Sequence, residues 1–122
     1  MIIIGDKYIP YENIEEINSI EDIKNTKPNS TLIFSFDKEI MLYCLQNNID
    51  YGVKVNSIIQ TIYANSLEAK YILPNNDILI SSQKLADNYI FDSKILATIN
   101  NEIEIEEIAI KEIDGVIYNS LL

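Results

Sequence analysis

Short apolar runs alternate with amphipathic segments along most of the chain. The run at residues 31–36, which reads TLIFSF, is typical of a strand buried on both faces. The segment after it places four apolar residues on one side of a helix, namely Ile40, Met41, Cys44 and Leu45. The same alternation continues towards the last residues, so the pattern predicts a series of strand–helix units.

The predicted strands lie at residues 14–17, 31–36, 51–55, 70–73, 94–99 and 116–118. Helices are predicted at 20–26, after Asp37, after Ser57 and from Ser81 or Ser82. Residues 102–113 begin like an alternating strand but continue with helical spacing, and their clustered Glu residues suit the N-terminal end of a helix. We favour a helix there. Residues 78–80 fit either a short strand or the approach to a helix.

This alternation predicts a parallel sheet with right-handed crossovers. We expect one α/β domain over residues 1–122, with three layers and a mainly parallel sheet of five or six strands, as in Rossmann-like and flavodoxin-like domains. The alternating units span residues 14–118. Residues 2–4 and 7–9 flank the turn pair Gly5-Asp6, so we also expect an N-terminal β-hairpin over residues 1–10.

Spacing also predicts which side of each later helix faces the core. In the helix after Ser57 the predicted buried stripe comprises Ile58, Ile59, Ile62, Tyr63 and Leu67. In the next helix it comprises Leu85, Ala86, Tyr89 and Ile90. Asp37 and Ser57 precede their helices and are residue types that cap helix N-termini.

The amino-acid composition limits the chemistry that the side chains could perform. The chain has neither His nor Arg, so it lacks the commonest general base and the cation best suited to bidentate phosphate binding. The single cysteine, Cys44, lies in a predicted core face and has no His to activate it, so we interpret it as a small buried hydrophobe. We therefore expect no catalytic residues, no metal site and no cofactor.

The net charge of the chain excludes some classes of binding partner. The net charge is −10, and the nine Lys are scattered without two being adjacent. Nucleic acids and anionic membranes would be repelled, so neither is expected as a partner. No segment approaches the ~20 apolar residues of a membrane span. The N-terminus lacks the basic region of a signal peptide. A cytoplasmic location is the expectation.

Two segments resemble units of phosphate-binding (β/α) barrel enzymes. One comprises residues 55–57 with 67–73, and the other comprises residues 114–120. The barrel units usually carry Gly where Glu68 and Asn119 stand here, and a full barrel has about twice this length, ~250 residues. We interpret the likeness as a shared β/α pattern.

Candidate binding residues follow from strand position. Strand ends at one sheet edge would present Asp37, Asn56, Ser57, Asn75, Asn100 and Asn119. Lys54 lies two residues before Asn56 and projects to the same face. Lys54 has three interpretations: a desolvated amine suited to Schiff-base chemistry, a lysine on an edge strand, or a lysine whose stem is covered while its head reaches water. The predicted ligand-binding set is Asp37, Lys54, Asn56 and Ser57, for a small neutral or zwitterionic molecule.

Two function hypotheses remain. The first, which we favour, is a non-catalytic module that assembles with itself, as a dimer, or with another protein, because the chain is rich in aliphatic residues and poor in catalytic ones. The alternative is a small-molecule binding protein or enzyme with its site at the carboxyl edge of the sheet.

Overall fold

The computed structural model describes residues 1–122 as a parallel sheet with helices between its strands. The strands are Ile2–Ile4 (β1), Ile14–Glu16 (β2), Thr31–Ser35 (β3), Tyr51–Val55 (β4), Tyr71–Pro74 (β5), Lys94–Ile99 (β6) and Gly115–Tyr118 (β7). The helices are Lys38–Gln46 (α1), Ile58–Ser66 (α2), Leu79–Tyr89 (α3) and Ile103–Ile110 (α4). Two 3₁₀ helices occupy Ile20–Asn25 and Asn119–Leu121.

The sheet is wholly parallel and has seven strands in the order β1-β7-β6-β5-β4-β3-β2. The parallel α/β organisation that Rossmann-like and flavodoxin-like domains share is therefore confirmed, but the count of five or six strands is wrong. From β2 to β7 the strands lie in chain order, and no reversal interrupts them. Residues 78–80, which the sequence leaves open between strand and helix, form the start of α3: Ile78 is its N-cap, and the helix begins at Leu79 rather than at Ser81 or Ser82. Residues 103–110 are helical, as favoured.

The N-terminal hairpin is the second correction. β1 pairs in parallel with β7, with Ile2 opposite Gly115 and Ile4 opposite Ile117, and residues 7–9 form no strand. Pairing with β7 buries Ile4 almost completely, which an isolated hairpin could not do. A side chain at Gly115 would collide with the carbonyl oxygen of Ile2, so the glycine is what lets β1 approach.

The helices cover one face of the sheet, which corrects the expected three layers. All four helices contribute to one core cluster with the strand residues that face them, among them Phe34, Val53, Ile72, Ala97 and Val116. A second cluster on the opposite face contains no residue of α1–α4 and comprises Ile4, Ile33, Tyr71, Leu73, Leu96 and Ile117. Right-handed crossovers between strands in chain order put every helix on the same face, because three layers require the order to reverse.

The sheet curls around its helix-free face. The 3₁₀ helix at Asn119–Leu121 directly follows β7, yet it contacts β2. Five strand spacings separate β7 from β2, which in a flat sheet would be about 24 Å. Leu121 and Leu122 pack against the helix-free cluster together with Ile2 and Ile14 of the two edge strands. Parallel strands that follow one another in chain order, with the helices on the outside, are also the arrangement found in (β/α) barrels.

The helices differ in how well periodicity predicted their buried side. In α1 the predicted residues Ile40, Met41 and Cys44 are buried. In α2 the buried residues are Thr61 and Ala64. Three residues of its predicted stripe, and two of the α3 stripe, are exposed: Ile59, Ile62, Tyr63, Tyr89 and Ile90. Small side chains form the side of α2 that faces the sheet.

None of the helices combines the length and hydrophobicity that crossing a membrane requires.

Candidate functional site

A pocket of about 310 Å³ opens at the carboxyl edge of the sheet, and we call it the carboxyl-edge pocket. Its polar lining comes from four consecutive strand units: Lys54 and Asn56, Asn75, Thr98, and Asn119. Its apolar lining comprises Val55, Leu73, Pro74 and Leu122. Carboxyl ends of parallel strands are where ligand sites of open and barrel-type β/α folds lie, because the loops that follow the strands meet there.

The single cation of the pocket is held by a carboxylate from another strand. Lys54 Nζ donates to Glu16 Oε2 at 2.7 Å, and the two residues are 38 positions apart in the chain. Both project to the helix-free face, and their side chains are 36% and 39% exposed. A nucleophilic lysine needs a neutral, desolvated amine. This ammonium is paired and in contact with water, which favours the interpretation that the stem is covered while the head is wet.

Amide groups form the rest of the polar wall. Asn75 Nδ2 lies 3.5 Å from Asn56 Oδ1, and the backbone N–H of Asn56 donates to Gln60 Oε1 at 2.8 Å. The side chains of Asn56, Asn75 and Asn119 are all in exposed residues, so their remaining donors and acceptors are open to a ligand. The wall therefore offers hydrogen bonds of both kinds around one ion pair.

The other two predicted ligand residues cap helices. Asp37 Oδ1 accepts from the backbone N–H groups of Glu39 and Ile40 at 3.0 and 3.1 Å. Ser57 Oγ accepts from the backbone N–H of Gln60 at 3.3 Å. Neither residue lines the carboxyl-edge pocket. Asn100, also expected at this edge, lines a separate cavity beside Asp6, Lys7 and Tyr118.

Sequence reasoning missed Glu16 and Thr98. Both occupy positions of the same parity as apolar residues of the helix-free face, Ile14 in β2 and Leu96 in β6. Alternation along a strand could have assigned their side, but the contact of Glu16 with Lys54 depends on the strand order, which places β2 two strands from β4.

A second feature is an uncovered apolar surface on the helices. We define the outer apolar face as Ile59, Ile62 and Tyr63 of α2 with Leu85, Tyr89 and Phe91 of α3 and the turn after it. A groove of about 470 Å³ runs between the two helices and is lined by Ile62, Leu85, Tyr89 and Phe91, with Asn65 and Ser66. Ile59 is 63% exposed and Tyr89 is 74% exposed. Large exposed apolar side chains that adjoin one another mark interaction surfaces more often than isolated ones do.

Tyr63 is fixed in place within this face. Its ring meets Phe36 edge-on, with ring centroids 6.3 Å apart, and Lys38 Nζ lies 4.1 Å from its centroid. These aromatic and cation–π contacts hold the ring at the surface in one orientation. A preordered aromatic side chain loses little conformational entropy when a partner covers it.

The amino-terminal edge of the sheet carries a polar network. Glu12 accepts hydrogen bonds from the Tyr71 hydroxyl at 2.9 Å, the Lys70 ammonium at 2.6 Å and the Thr31 hydroxyl at 3.0 Å. Burial opposes ionisation of Glu12, but these hydrogen bonds outweigh it and lower the pKa of its carboxyl. Burial, with the carboxylate of Glu12, raises the pKa of Tyr71. The network ties the loop before β2 to β3 and β5.

The remaining reactive groups are enclosed. Burial raises the pKa of the Cys44 thiol to about 11, so at neutral pH the thiol is protonated and weakly nucleophilic. It is buried where α1 packs on the sheet. No group of three or more Cys, Asp or Glu side chains is arranged to hold a metal ion.

The chain matches no protein-family model and no curated protein. Inferences about its function therefore rest on the carboxyl-edge pocket and the outer apolar face.

Proposed function

We propose that this protein is a non-catalytic assembly module that forms a two-fold dimer through the outer apolar face. The observation that carries the proposal is the uncovered apolar side of α2. Its buried side is made of Thr61 and Ala64, whereas its large apolar side chains Ile59, Ile62 and Tyr63 lie at the surface. A helix with this arrangement gains most of its hydrophobic burial only when a partner covers it.

Charge favours a second copy as that partner. Residues Ile58–Ser66 of α2 contain no Asp, Glu or Lys, although the chain as a whole carries −10. Two strongly acidic molecules repel one another at most surfaces, and α4 alone carries Glu104, Glu106 and Glu107. Contact centred on α2 brings the copies together at an uncharged helix and keeps the acidic α4 out of the contact. An isologous dimer also needs only one self-complementary patch.

The end of α3 adds a side chain that can enter the groove of a second copy. Ile90 ends α3 at φ 54°, in the left-handed region, and is 86% exposed. A β-branched residue is disfavoured there, because its Cβ substituents crowd the backbone. Ile90 directly follows Tyr89 of the outer apolar face. In the proposed dimer its side chain packs into the partner's groove between α2 and α3, which compensates for the backbone cost.

The proposal also places the protein in the cytoplasm, a setting that keeps the lone buried thiol of Cys44 reduced. Its role there is to associate, and the dimer is the state in which α2 is covered.

The test is the mass in solution, measured by sedimentation from low to high micromolar concentration. The expected mass is twice the 14.0 kDa of the chain. Ile62→Asp, at the centre of the outer apolar face, is expected to give a monomer with an unchanged circular-dichroism spectrum. The matched control is Ile110→Asp on α4, a residue that is 75% exposed but lies off the face, and it is expected to remain dimeric.

Ile90→Asn sharpens the same test. Asn tolerates the left-handed region better than Ile, so this variant is expected to weaken association without lowering the melting temperature of the monomer. A wild-type mass of 14.0 kDa that does not change on concentrating overturns the proposal. So does dissociation by Ile110→Asp together with an intact Ile62→Asp dimer.

A further inference from the structure

The carboxyl-edge pocket lies at the ends of the strands, whereas the outer apolar face lies on α2 and α3. The proposed dimer therefore does not use the pocket. We propose that it binds a small zwitterion of the α-amino acid class. Lys54 and Glu16 would receive the two charges of the ligand, and the amides of Asn56, Asn75 and Asn119 would hydrogen-bond its polar substituents.

Glu16 lies beside the pocket rather than in its lining, and its ion pair with the lining residue Lys54 gives that end of the pocket its charge pattern. Lys54 Nζ and Glu16 Oε2 are 2.7 Å apart, so the pair as a whole is neutral but presents a positive and a negative end side by side. An ammonium has three donors and a carboxylate has about four acceptor positions, so each group keeps free capacity while paired. An α-amino acid carries the opposite pattern at the same scale, a carboxylate and an ammonium on neighbouring atoms.

Other ligand classes fit this charge pattern less well. A phosphate ester carries close to two negative charges and would meet one already paired cation in a chain of net charge −10 without Arg. A plain carboxylate that binds Lys54 is repelled by the neighbouring carboxylate of Glu16. A plain amine that binds Glu16 is repelled by the neighbouring ammonium of Lys54. In a zwitterion the second charge of the ligand offsets this repulsion.

The remaining walls set the size and polarity of the ligand. The volume of about 310 Å³ is at the lower end of the range for ligand pockets, which suits a metabolite smaller than a nucleotide. Leu73, Pro74 and Val55 are buried residues that form a rigid apolar side. The amides and the Thr98 hydroxyl form the polar side. A short side chain with one polar end would satisfy both.

The position of the pocket on four adjacent strands supports a built site. Lys54 and Leu73 are register partners in β4 and β5, and Thr98 pairs in register with Ile117 of β7. Strand backbones hold these side chains at fixed separations, so the pocket needs no loop closure to form. Leu122 closes another side of the pocket, and like Ile14 it packs against the helix-free cluster.

The experiment measures ligand-induced thermal shift and binding heat with four probes at low ionic strength. L-alanine and L-serine are the zwitterions, L-lactate lacks the ammonium, and L-alaninamide lacks the carboxylate. The two amino acids are expected to raise the melting temperature, and the two single-charge probes to raise it less. Titration of labelled protein by NMR is expected to shift the side-chain amide signals of Asn56, Asn75 and Asn119.

Variants assign each charge. Lys54→Met keeps the apolar stem and is expected to weaken amino acid binding by about tenfold or more, the effect of losing one charge-assisted hydrogen bond. Glu16→Gln removes the carboxylate that repels an anion bound at Lys54, so lactate is expected to bind more tightly while L-alanine, which loses the partner of its ammonium, binds less tightly. The matched control is Lys84→Met, an exposed lysine on α3, which is expected to bind as the wild type does.

The results that overturn the proposal are distinct from failure of the dimer, because binding is read at the pocket whatever the mass. Absence of any response to L-alanine and L-serine at tens of millimolar overturns it. So does unchanged binding by Lys54→Met. Where Lys54→Met fails to fold, Asn75→Leu at an exposed position replaces it and is expected to weaken binding of L-serine.

Discussion

Helices α1 and α2 have the same length, both begin at a side-chain cap, and both turn the fourth and seventh residues after the cap to the sheet, yet the residues at those positions differ in kind. α1 buries its large apolar residues Ile40 and Met41. α2 buries Thr61 and Ala64 and leaves Ile59 and Ile62 in solvent. The difference shows that hydrophobic spacing alone does not decide which side of a helix packs inward, because a side of small residues can approach a sheet more closely.

The polar character of the α2 contact is the second part of the difference. The buried Thr61 hydroxyl donates to the Ser57 carbonyl oxygen at 3.2 Å and shares a hydrogen bond of 3.2 Å with the Ser82 hydroxyl of α3. A buried hydroxyl costs stability unless it is hydrogen-bonded, and both hydroxyls here have partners. α2 is thus attached to the sheet and to α3 through small side chains and hydrogen bonds, whereas α1 is attached through the burial of large apolar side chains.

The largest expected effect concerns the inward side of α1. Met41→Ala removes a completely buried side chain, so it should lower the free energy of unfolding by about 2–5 kcal/mol. Ile59→Ala on α2 should change it by no more than about 0.5 kcal/mol. Urea unfolding at low protein concentration, where association is weakest, measures both. Equal losses in the two variants would mean that the apolar side of α2 packs inward in solution.

A smaller effect is expected where α2 meets α3. Thr61→Val keeps the shape but leaves the buried Ser82 hydroxyl without its partner, which should cost about 1–3 kcal/mol. The double variant Thr61→Val with Ser82→Ala removes both polar groups, so it should cost clearly less than the sum of the two single changes. Denaturant unfolding of all four proteins completes the cycle. Strict additivity would show that the two hydroxyls do not interact.

Much of the fold could be read from the sequence because the signals are local. The strands at 51–55 and 94–99 and the caps at Asp37 and Ser57 depend on neighbouring residues only, and the structure has them as predicted. The path of the sheet depends on distant pairings. Nothing near residues 2–4 shows that they pair with 115–117, since only the closeness permitted by Gly115 makes that register fit.

The alternation of strands and helices predicted parallel strands, but it does not determine the number of layers. Alternation alone is compatible with helices on one face or on two. Helices on one face require strands that add in chain order, and β2 to β7 add in chain order without a reversal. The expectation of three layers failed at that point.

The carboxyl-edge pocket could be predicted in part. Lys54, Asn56, Asn75 and Asn119 were placed at one sheet edge from strand ends alone, and they line one pocket. Asp37 and Ser57 satisfy the same rule but turn their oxygens to helix N–H groups. A short polar side chain after a strand serves equally as cap or ligand group, and only its rotamer decides.

The smallest expected effect compares the two caps. Asp37 accepts two backbone N–H groups and places a negative charge at the helix N-terminus, whereas Ser57 accepts one at 3.3 Å. Asp37→Ala should therefore cost about 1 kcal/mol, and Ser57→Ala should cost less, at the low end of the ~0.5–2 kcal/mol range for cap removal. Asp37→Asn keeps the acceptor oxygen and should restore most of the loss. Thermal and urea unfolding measure the three variants. A larger loss from Ser57→Ala than from Asp37→Ala would show that α2, despite its uncovered apolar side, depends more on its cap than α1 does.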